Sequence, residues 1–377
     1  MGEPLWEFGG SDTICREAYS QIRVTQDLLG DLMQRIQSVD VFRFIAFVMI
    51  ITLHTQPFRL PPPAENKLYE SLDAIITNAA RFAVPFFFVI SGYFWGVKLR
   101  EGYAPIPFTL KKIGRIFGIF LFWCIVYLVP FDLLKPGLRL GDILDLIVAN
   151  IKTLLFHRPI TILLMEGTKL HLWFLVALMF SMAISAIFMH KNMKTSLLVF
   201  SIFLYVFGIL AKAYEFTPIG ISIRFNTLYG PFFGTLFFVS GYYLSGLKIT
   251  SKWLLYGAVI FVVGSILHAS EVYYLWRTTG ELPQQDYVFG TYFMGIGFTM
   301  MALSNHPILQ IDWLARLGNM ALGLYVVHYI FVDLFSEFNK LHDSIIWEVG
   351  YVFIVLLLSL LSAYVLSKNR FTKGLVM

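Results

Sequence analysis

Apolar residues along the chain fall into runs of roughly 17 to 25, divided by short polar breaks, and a run of that length is what an α-helix needs to cross about 30 Å of hydrocarbon. The pattern predicts an all-α, polytopic transmembrane helical bundle. About ten spans are expected, at 39–57, 72–97, 113–134, 171–190, 195–211, 228–247, 253–271, 288–303, 318–338 and 345–366. A transmembrane β-barrel would instead alternate apolar and polar residues in segments of about ten. Stretches such as Tyr351 to Leu358 are continuously apolar, so helices are expected. The 142–157 region, with Asp142, Asp145 and Lys152 among apolar residues, is amphipathic. It reads as an interfacial helix or, alternatively, as a re-entrant segment.

Composition supports the same class. Of 377 residues, 57% are hydrophobic and 14% charged, against about 25% charged in soluble domains. A soluble enzyme, a disordered chain and a disulfide-stapled secreted domain are thereby excluded. Cys15 and Cys124 are the only cysteines, so no disulfide framework or cysteine metal site is expected. With the N-terminus in the cytoplasm, ten crossings put 16 of the 29 basic residues in or beside inner loops. That bias predicts both termini in the cytoplasm. The net charge of +5 then calls for no nucleic acid. Residues 1–36 carry Glu3, Glu7, Asp12, Arg16, Glu17 and Asp27 with no apolar core of signal-peptide length. They read as a cytoplasmic segment in which 20–36 can form a helix lying on the membrane face. Residues 37–367 read as the integral-membrane domain and 368–377 as a short basic cytoplasmic tail.

Ionisable residues inside spans are costly, which makes them candidates for function. In the first span Arg43 and His54 are 11 residues apart, about 16.5 Å and close to three turns, so they share one helix face. Histidine suits proton transfer near neutral pH, and arginine suits a phosphate or carboxylate. The alternative is that Arg43 snorkels to headgroups and His54 caps the outer end. In the second span Arg81 lies about 14 Å into the bilayer, four residues before Pro85, which is expected to bend the helix. A cavity wall or an ion pair with a distant acid would each account for Arg81. Ser91-Gly92 is small enough for close helix approach. Lys111, Lys112 and Arg115 serve either topology or phosphate binding. His171 and Trp173 open the fourth span, and Tyr325 and His328 lie in the ninth, with His328 near mid-membrane. The string Phe87 to Tyr93 is echoed by Phe237 to Tyr242. No metal site is expected: His268 and Glu271 are one turn apart, but two ligands are too few for zinc.

These residues resemble the acyltransferase-3 family of bacterial integral-membrane acyltransferases. Its hallmark is an Arg, ten residues and a His in the first span, which Arg43 and His54 reproduce after Asp40. The Arg81 to Tyr93 stretch is similar to the second-span motif. Lys112-Ile-Gly-Arg115 resembles the basic pair that follows, with Lys for one Arg. The string Leu317 to His328 resembles a late-span signature. The likeness runs from about residue 35 to 366. Many O-antigen-modifying members carry a glutamate pair after the His-x-Trp segment. Here His171-Leu-Trp173 continues to Met179 without one. That inclines the likeness toward the branch with the enterobacterial-common-antigen O-acetyltransferase.

The resemblance implies transfer of an acyl group, most often acetyl from acetyl-CoA, to a hydroxyl of an envelope polysaccharide or lipid-linked glycan at the bacterial inner membrane. No permanently bound cofactor is implied; the acyl-CoA is a co-substrate. His54 is then the general base or transient acyl carrier, and Arg81 an oxyanion or thioester partner, with Arg43 beside them as the catalytic set. Lys111, Lys112, Arg115, Ser91, His171, Trp173, Tyr325 and His328 are candidates for binding donor or acceptor. Two rivals stand: a transporter or flippase for an anionic or lipid-linked substrate, and a non-catalytic scaffold subunit.

Overall fold

The computed structural model describes residues 36–59, 66–132, 141–157, 159–280, 284–341 and 344–376. The expected helix at 20–36 and Cys15 therefore fall outside the described residues, save for Ile36 at the entrance to the first helix. Described elements are all helical. They begin with α1 (Gln37–Thr55), α2 (Lys67–Ala79), a 3-10 turn at Ala80–Phe82, α3 (Ala83–Arg100) and α4 (Pro105–Val126). Next come α5 (Asp142–Lys152), which runs into a π turn at Thr153–His157, and α6 (Ile160–Glu166). A 3-10 turn at Leu170–Leu172 opens α7 (Trp173–His190). It is followed by α8 (Lys194–Leu210), α9 (Pro231–Leu244), α10 (Trp253–Thr279) and α11 (Phe289–Leu303). The chain ends in α12 (Asp312–Gly318), α13 (Ala321–Leu334), α14 (Ser336–Leu341), α15 (Ile345–Lys368) and α16 (Lys373–Val376).

Gln37–Thr55, Lys67–Arg100, Leu170–His190, Trp253–Thr279 and Ile345–Lys368 are long and apolar enough to cross a bilayer. The pair α12–α13, bent by 66°, makes a sixth if the two are counted as one span. Their faces agree with this. Along α10, Leu255, Val259, Val262 and Ile266 are exposed while Gly257, Gly264 and His268 are buried. A helix apolar on its outward as well as its inward face is stable in lipid and not in water. The protein is thus a multi-pass, all-α membrane bundle.

The expected ten crossings exceed what length and composition support. A helix lies in every one of the ten intervals, but α8, α9 and α11 have only 17, 14 and 15 residues, short of the about 20 a crossing needs. Helix α4 has Lys111, Lys112 and Arg115 within it, because Pro105 starts the helix eight residues before the predicted 113. The second span breaks at Ala80–Phe82 rather than at Pro85, which sits in the first turn of α3 where its missing N–H costs nothing. Within the expected ninth span, 318–338, the chain runs as α13 and the start of α14, and α12 precedes it at a 66° bend. The C-terminal residues do not hang free as a basic tail. Val376 is buried against a cluster that includes Val326 and Val327, and Trp123 Nε1 donates to the Leu375 carbonyl at 3.4 Å.

Two close approaches organise the bundle. A side chain at Gly92 would meet the Phe238 carbonyl oxygen at 1.9 Å, and one at Gly241 would meet that of Val89 at 1.9 Å. The strings that echo each other in the sequence are therefore the two halves of one helix crossing. Contacts advance together, Phe88 with Gly234 and Gly96 with Tyr242, so α3 and α9 run parallel. The second approach is at Gly318, where a Cβ would fall 1.8 Å from the Asp40 carbonyl oxygen. This packs α12 onto the start of α1 and sets α13 beside the rest of that helix.

Candidate active site

Three histidines meet where α1, α7 and α13 come together. His54 is one residue from the end of α1, His171 lies in the 3-10 turn before α7, and His328 is in the middle of α13. The His328 ring is 5.2 Å from both His54 and His171, centroid to centroid. Tyr329 completes the group: its ring stacks on His171 at 4.9 Å and stands edge-on to His54 at 4.9 Å. His328 thus shares the level of His54 rather than standing alone at mid-membrane.

The hydrogen bonding is lopsided. His328 Nδ1 lies 2.8 Å from the Tyr325 carbonyl. A carbonyl can only accept, so Nδ1 carries the proton and Nε2 of the neutral ring is left with its lone pair. Among the described residues that Nε2 has no hydrogen-bond partner, and neither does either ring nitrogen of His171. Both histidines are fully buried, His171 at 1% exposure and His328 at 0%. Buried polar atoms are normally paired. Three ring nitrogens that lack a partner among the described residues therefore converge at one point. Tyr325 does not reach them; its hydroxyl donates to the His171 carbonyl and fixes that turn.

Two ion pairs flank the histidines. Lys169 Nζ binds Asp333 Oδ1 at 2.7 Å and sits 4.8 Å over the Tyr329 ring. On another side Arg81 Nη1 binds Asp286 Oδ1 at 2.9 Å, and Lys212 Nζ takes the other carboxylate oxygen at 3.0 Å. Burial pushes the Asp286 carboxyl up, but the charges of Arg81 and Lys212 outweigh it and hold the group below its ordinary value. Arg81 Nε is buried and has no partner among the described residues. Arg81 and Lys169 both lie within electrostatic reach of His54.

The remaining candidates are dispersed. Arg43 pairs with Asp40 at 2.7 Å and sits 5.7 Å over the Phe94 ring, near the opposite end of α1 from His54. Ser91 donates its hydroxyl to the Phe87 carbonyl of its own helix, beside the α3–α9 crossing. Lys111, Lys112 and Arg115 are exposed on α4. Trp173 packs on Tyr229 and Phe233. His268 bridges Thr291 and Asn78, while Glu271 accepts the Phe289 and Gly290 amides that start α11. Among the described residues no group of three or more His, Cys, Asp or Glu side chains is arranged so that it could hold a metal ion.

Sequence reasoning missed Lys169, Asp333, Tyr329, Asp286 and Lys212. Asp333 had a usable signal, an acid one turn and a residue beyond His328 in an apolar run. Lys169, two residues before His171, resembled any loop lysine. Cavities open at both ends of the bundle. One of about 320 Å³ lies beside Lys169 and Asp333; another of about 480 Å³ is lined by residues including Arg100, His190 and Lys194.

Comparison with known proteins adds the family. A model described as an acyltransferase domain matches residues 36–368. The chain is similar to an "Amino-acid racemase" of Enterococcus faecalis, 28% identical over 63% of this chain and 31% of that protein. A second "Amino-acid racemase" of the same organism is 26% identical over 55% of this chain and 28% of its own length. A "Serine/alanine racemase" of Enterococcus gallinarum is 27% identical over 42% of this chain and 20% of its own. The aligned stretch thus spans less than a third of each of these relatives. No solved structure matches. The family model extends from one residue before α1 to the last residue of α15, so the histidine cluster and both flanking ion pairs fall within it, and the chain belongs to the acyltransferase-3 family of membrane-embedded acyltransferases.

Proposed function

We propose that this protein moves an acetyl or other short acyl group from acyl-CoA to a hydroxyl of a cell-envelope polysaccharide or lipid-linked glycan, in the bacterial inner membrane with both termini in the cytoplasm. The observation that carries this reading is the buried histidine cluster with unpaired ring nitrogens between two cationic side chains. Acyl transfer forms an ester bond to the acceptor oxygen and breaks the thioester. The acceptor's proton must leave and the departing thiolate must gain one. His54 takes the hydroxyl proton and returns it to the thiolate, or carries the acyl group itself between the two steps. Arg81, with its buried Nε lacking a partner, meets the negative charge that develops on the carbonyl oxygen. His328 Nε2 and His171 accept hydrogen bonds from the reactants or relay the proton. Arg43, Lys111, Lys112 and Arg115 offer positive charge to the nucleotide end of the donor, and the basic cavity by Arg100 suits the same phosphates.

The racemase names describe proteins more than three times the length of the aligned stretches, whereas the acyltransferase family match spans residues 36–368 of this chain. The deciding experiment supplies labelled acetyl-CoA to membranes holding the wild-type chain or His54→Ala. Acetylated glycan is expected with the former and not the latter. Equal labelling by both would remove His54 from the mechanism. Substrate flux independent of acetyl-CoA would favour a transporter.

A further inference from the structure

The chain just after His54 is strained, and part of what restrains it comes from a distant helix. His54 lies in the last turn of α1, where carbonyls lack partners within the helix and the cap fixes the end. The cap residue, Gln56, is left-handed at φ 47°, and its amide donates to the Thr52 carbonyl at 3.1 Å. Two residues on, Phe58 is left-handed as well, at φ 69°. The Arg59 amide closes a turn onto the Gln56 carbonyl at 3.2 Å, with Pro57 and Phe58 at its centre. A turn with proline second and a positive φ third ordinarily has glycine or asparagine third. Neither left-handed position here is a glycine. Such conformations persist only where the surroundings over-determine them.

The surroundings are α15 and α2. The Phe58 amide donates to Oε2 of buried Glu348, on α15, at 2.7 Å. A carboxylate is a stronger acceptor than a neutral oxygen. The Phe58 ring stands edge-on to Tyr69 of α2 at 5.3 Å, and Arg59 Nε reaches Asp73 of the same helix at 3.1 Å. Helix α15 is itself tied to the helix that carries His328. Three residues beyond Glu348, the Tyr351 hydroxyl donates to the Val332 carbonyl of α13 at 2.9 Å. Val332 is one turn beyond His328. The turn after His54 is thus bonded to α15, and α15 to the helix of His328.

We propose that Glu348 is a positioning residue: by gripping the Phe58 amide it holds the end of α1 in its strained turn and keeps His54 in register with His328. The use made of that register rests on the acyl-transfer reading; the register itself does not.

The first test maps histidine modification by diethyl pyrocarbonate in the full chain, residue by residue by mass spectrometry, with exposed His190 as internal reference. Glu348→Ala should raise the rate at His54 relative to His190 at least threefold. Glu348→Gln, which keeps an acceptor oxygen at the same reach, should leave the ratio within twofold of wild type. The second test is acetyl transfer from labelled acetyl-CoA in membranes. In Glu348→Ala, kcat should fall at least tenfold with the KM for acetyl-CoA within twofold, while Glu348→Gln should lose no more than threefold. Glu348→Asp, one methylene short, should lie between the two in both tests and serves if the alanine variant does not accumulate. Adding Gln56→Gly to either defective variant should raise kcat at least threefold, since glycine holds a left-handed cap unaided. An unchanged ratio at His54, a loss carried by KM, a glutamine variant as poor as alanine, or no recovery with Gln56→Gly would each overturn the proposal. A raised ratio with no His54-dependent transfer by the wild type would leave the register standing and overturn the acyl-transfer reading.

Discussion

The α3–α9 crossing and the histidine cluster are both buried, yet they are built on opposite principles. At the crossing, Gly92 and Gly241 let two backbones touch, and the nearby hydroxyls of Ser91 and Ser240 are spent on carbonyls of their own helices. Nothing polar is left over. At the cluster, aromatic rings fill the space equally well, but ring nitrogens of His171 and His328 go unpaired among the described residues. Leaving a buried polar group unsatisfied costs about 1–3 kcal/mol. Within one bundle, then, the serine hydroxyls at the crossing are satisfied by their own helices, whereas the ring nitrogens at the cluster have no partner among the described residues.

The contrast is open to challenge by mutation. His54→Ala should lower acetyl transfer by about 10²–10⁴, the usual worth of a general base, with the same yield of folded protein in membranes. Retained activity would reduce the cluster to packing. Gly92→Val should do the reverse. Its side chain collides with the Phe238 backbone, so a loss of about 1–3 kcal/mol or more is expected, read as a lower melting temperature of the purified protein. Gly114→Ala, which meets nothing within 4 Å, is the control and should not destabilise. Tyr325→Phe removes the donor to the His171 carbonyl and should slow transfer two- to tenfold, from the roughly 0.5–1.5 kcal/mol of one hydrogen bond.

Smaller effects follow from charge. Because Asp286 is held below its ordinary value, its pairing with Arg81 and Lys212 stabilises the fold fully above the usual carboxylate range. That contribution is lost only as pH falls through the lowered value. Melting temperatures of wild type and Asp286→Asn should thus differ by a constant amount from pH 7 to pH 5 and converge in stronger acid. Convergence already at pH 6 would contradict the ion-pair geometry. Ser91→Ala should change stability by less than about 0.5 kcal/mol and leave the KM for acetyl-CoA alone. A raised KM would bring Ser91 into the donor site.

Much of the scaffold was legible because lipid imposes a crude rule: helices of sufficient apolar length. The rule finds α1, α7 and α15 to within two residues, and α10 at its start but not at its end, which lies eight residues beyond the expected 271. It does not anticipate α12, which precedes the expected start at 318 and joins α13 through a 66° bend at Asn319 and Met320. Nor does it fix the count of crossings, since a short apolar helix and a crossing look alike in composition. The histidines were each visible as misfits in apolar runs, but their meeting was not. His54, His171 and His328 are separated by more than a hundred residues, and only the packing of Gly318 on Asp40 brings α13 to α1. Lys169 and Lys212 could not be told from lysines that merely set topology, because that distinction lies in their partners.

The brevity of α13 has a consequence for the bilayer itself. Fourteen residues rise only about 21 Å, roughly 9 Å less than the hydrocarbon thickness, and α9 is equally short. The bend that lays α12 aside is what makes α13 short. An apolar helix that short is accommodated by thinning of the bilayer beside it or by snorkelling of its flanking side chains, and the midpoint of α13, His328, sits level with His54 at the end of the longer α1.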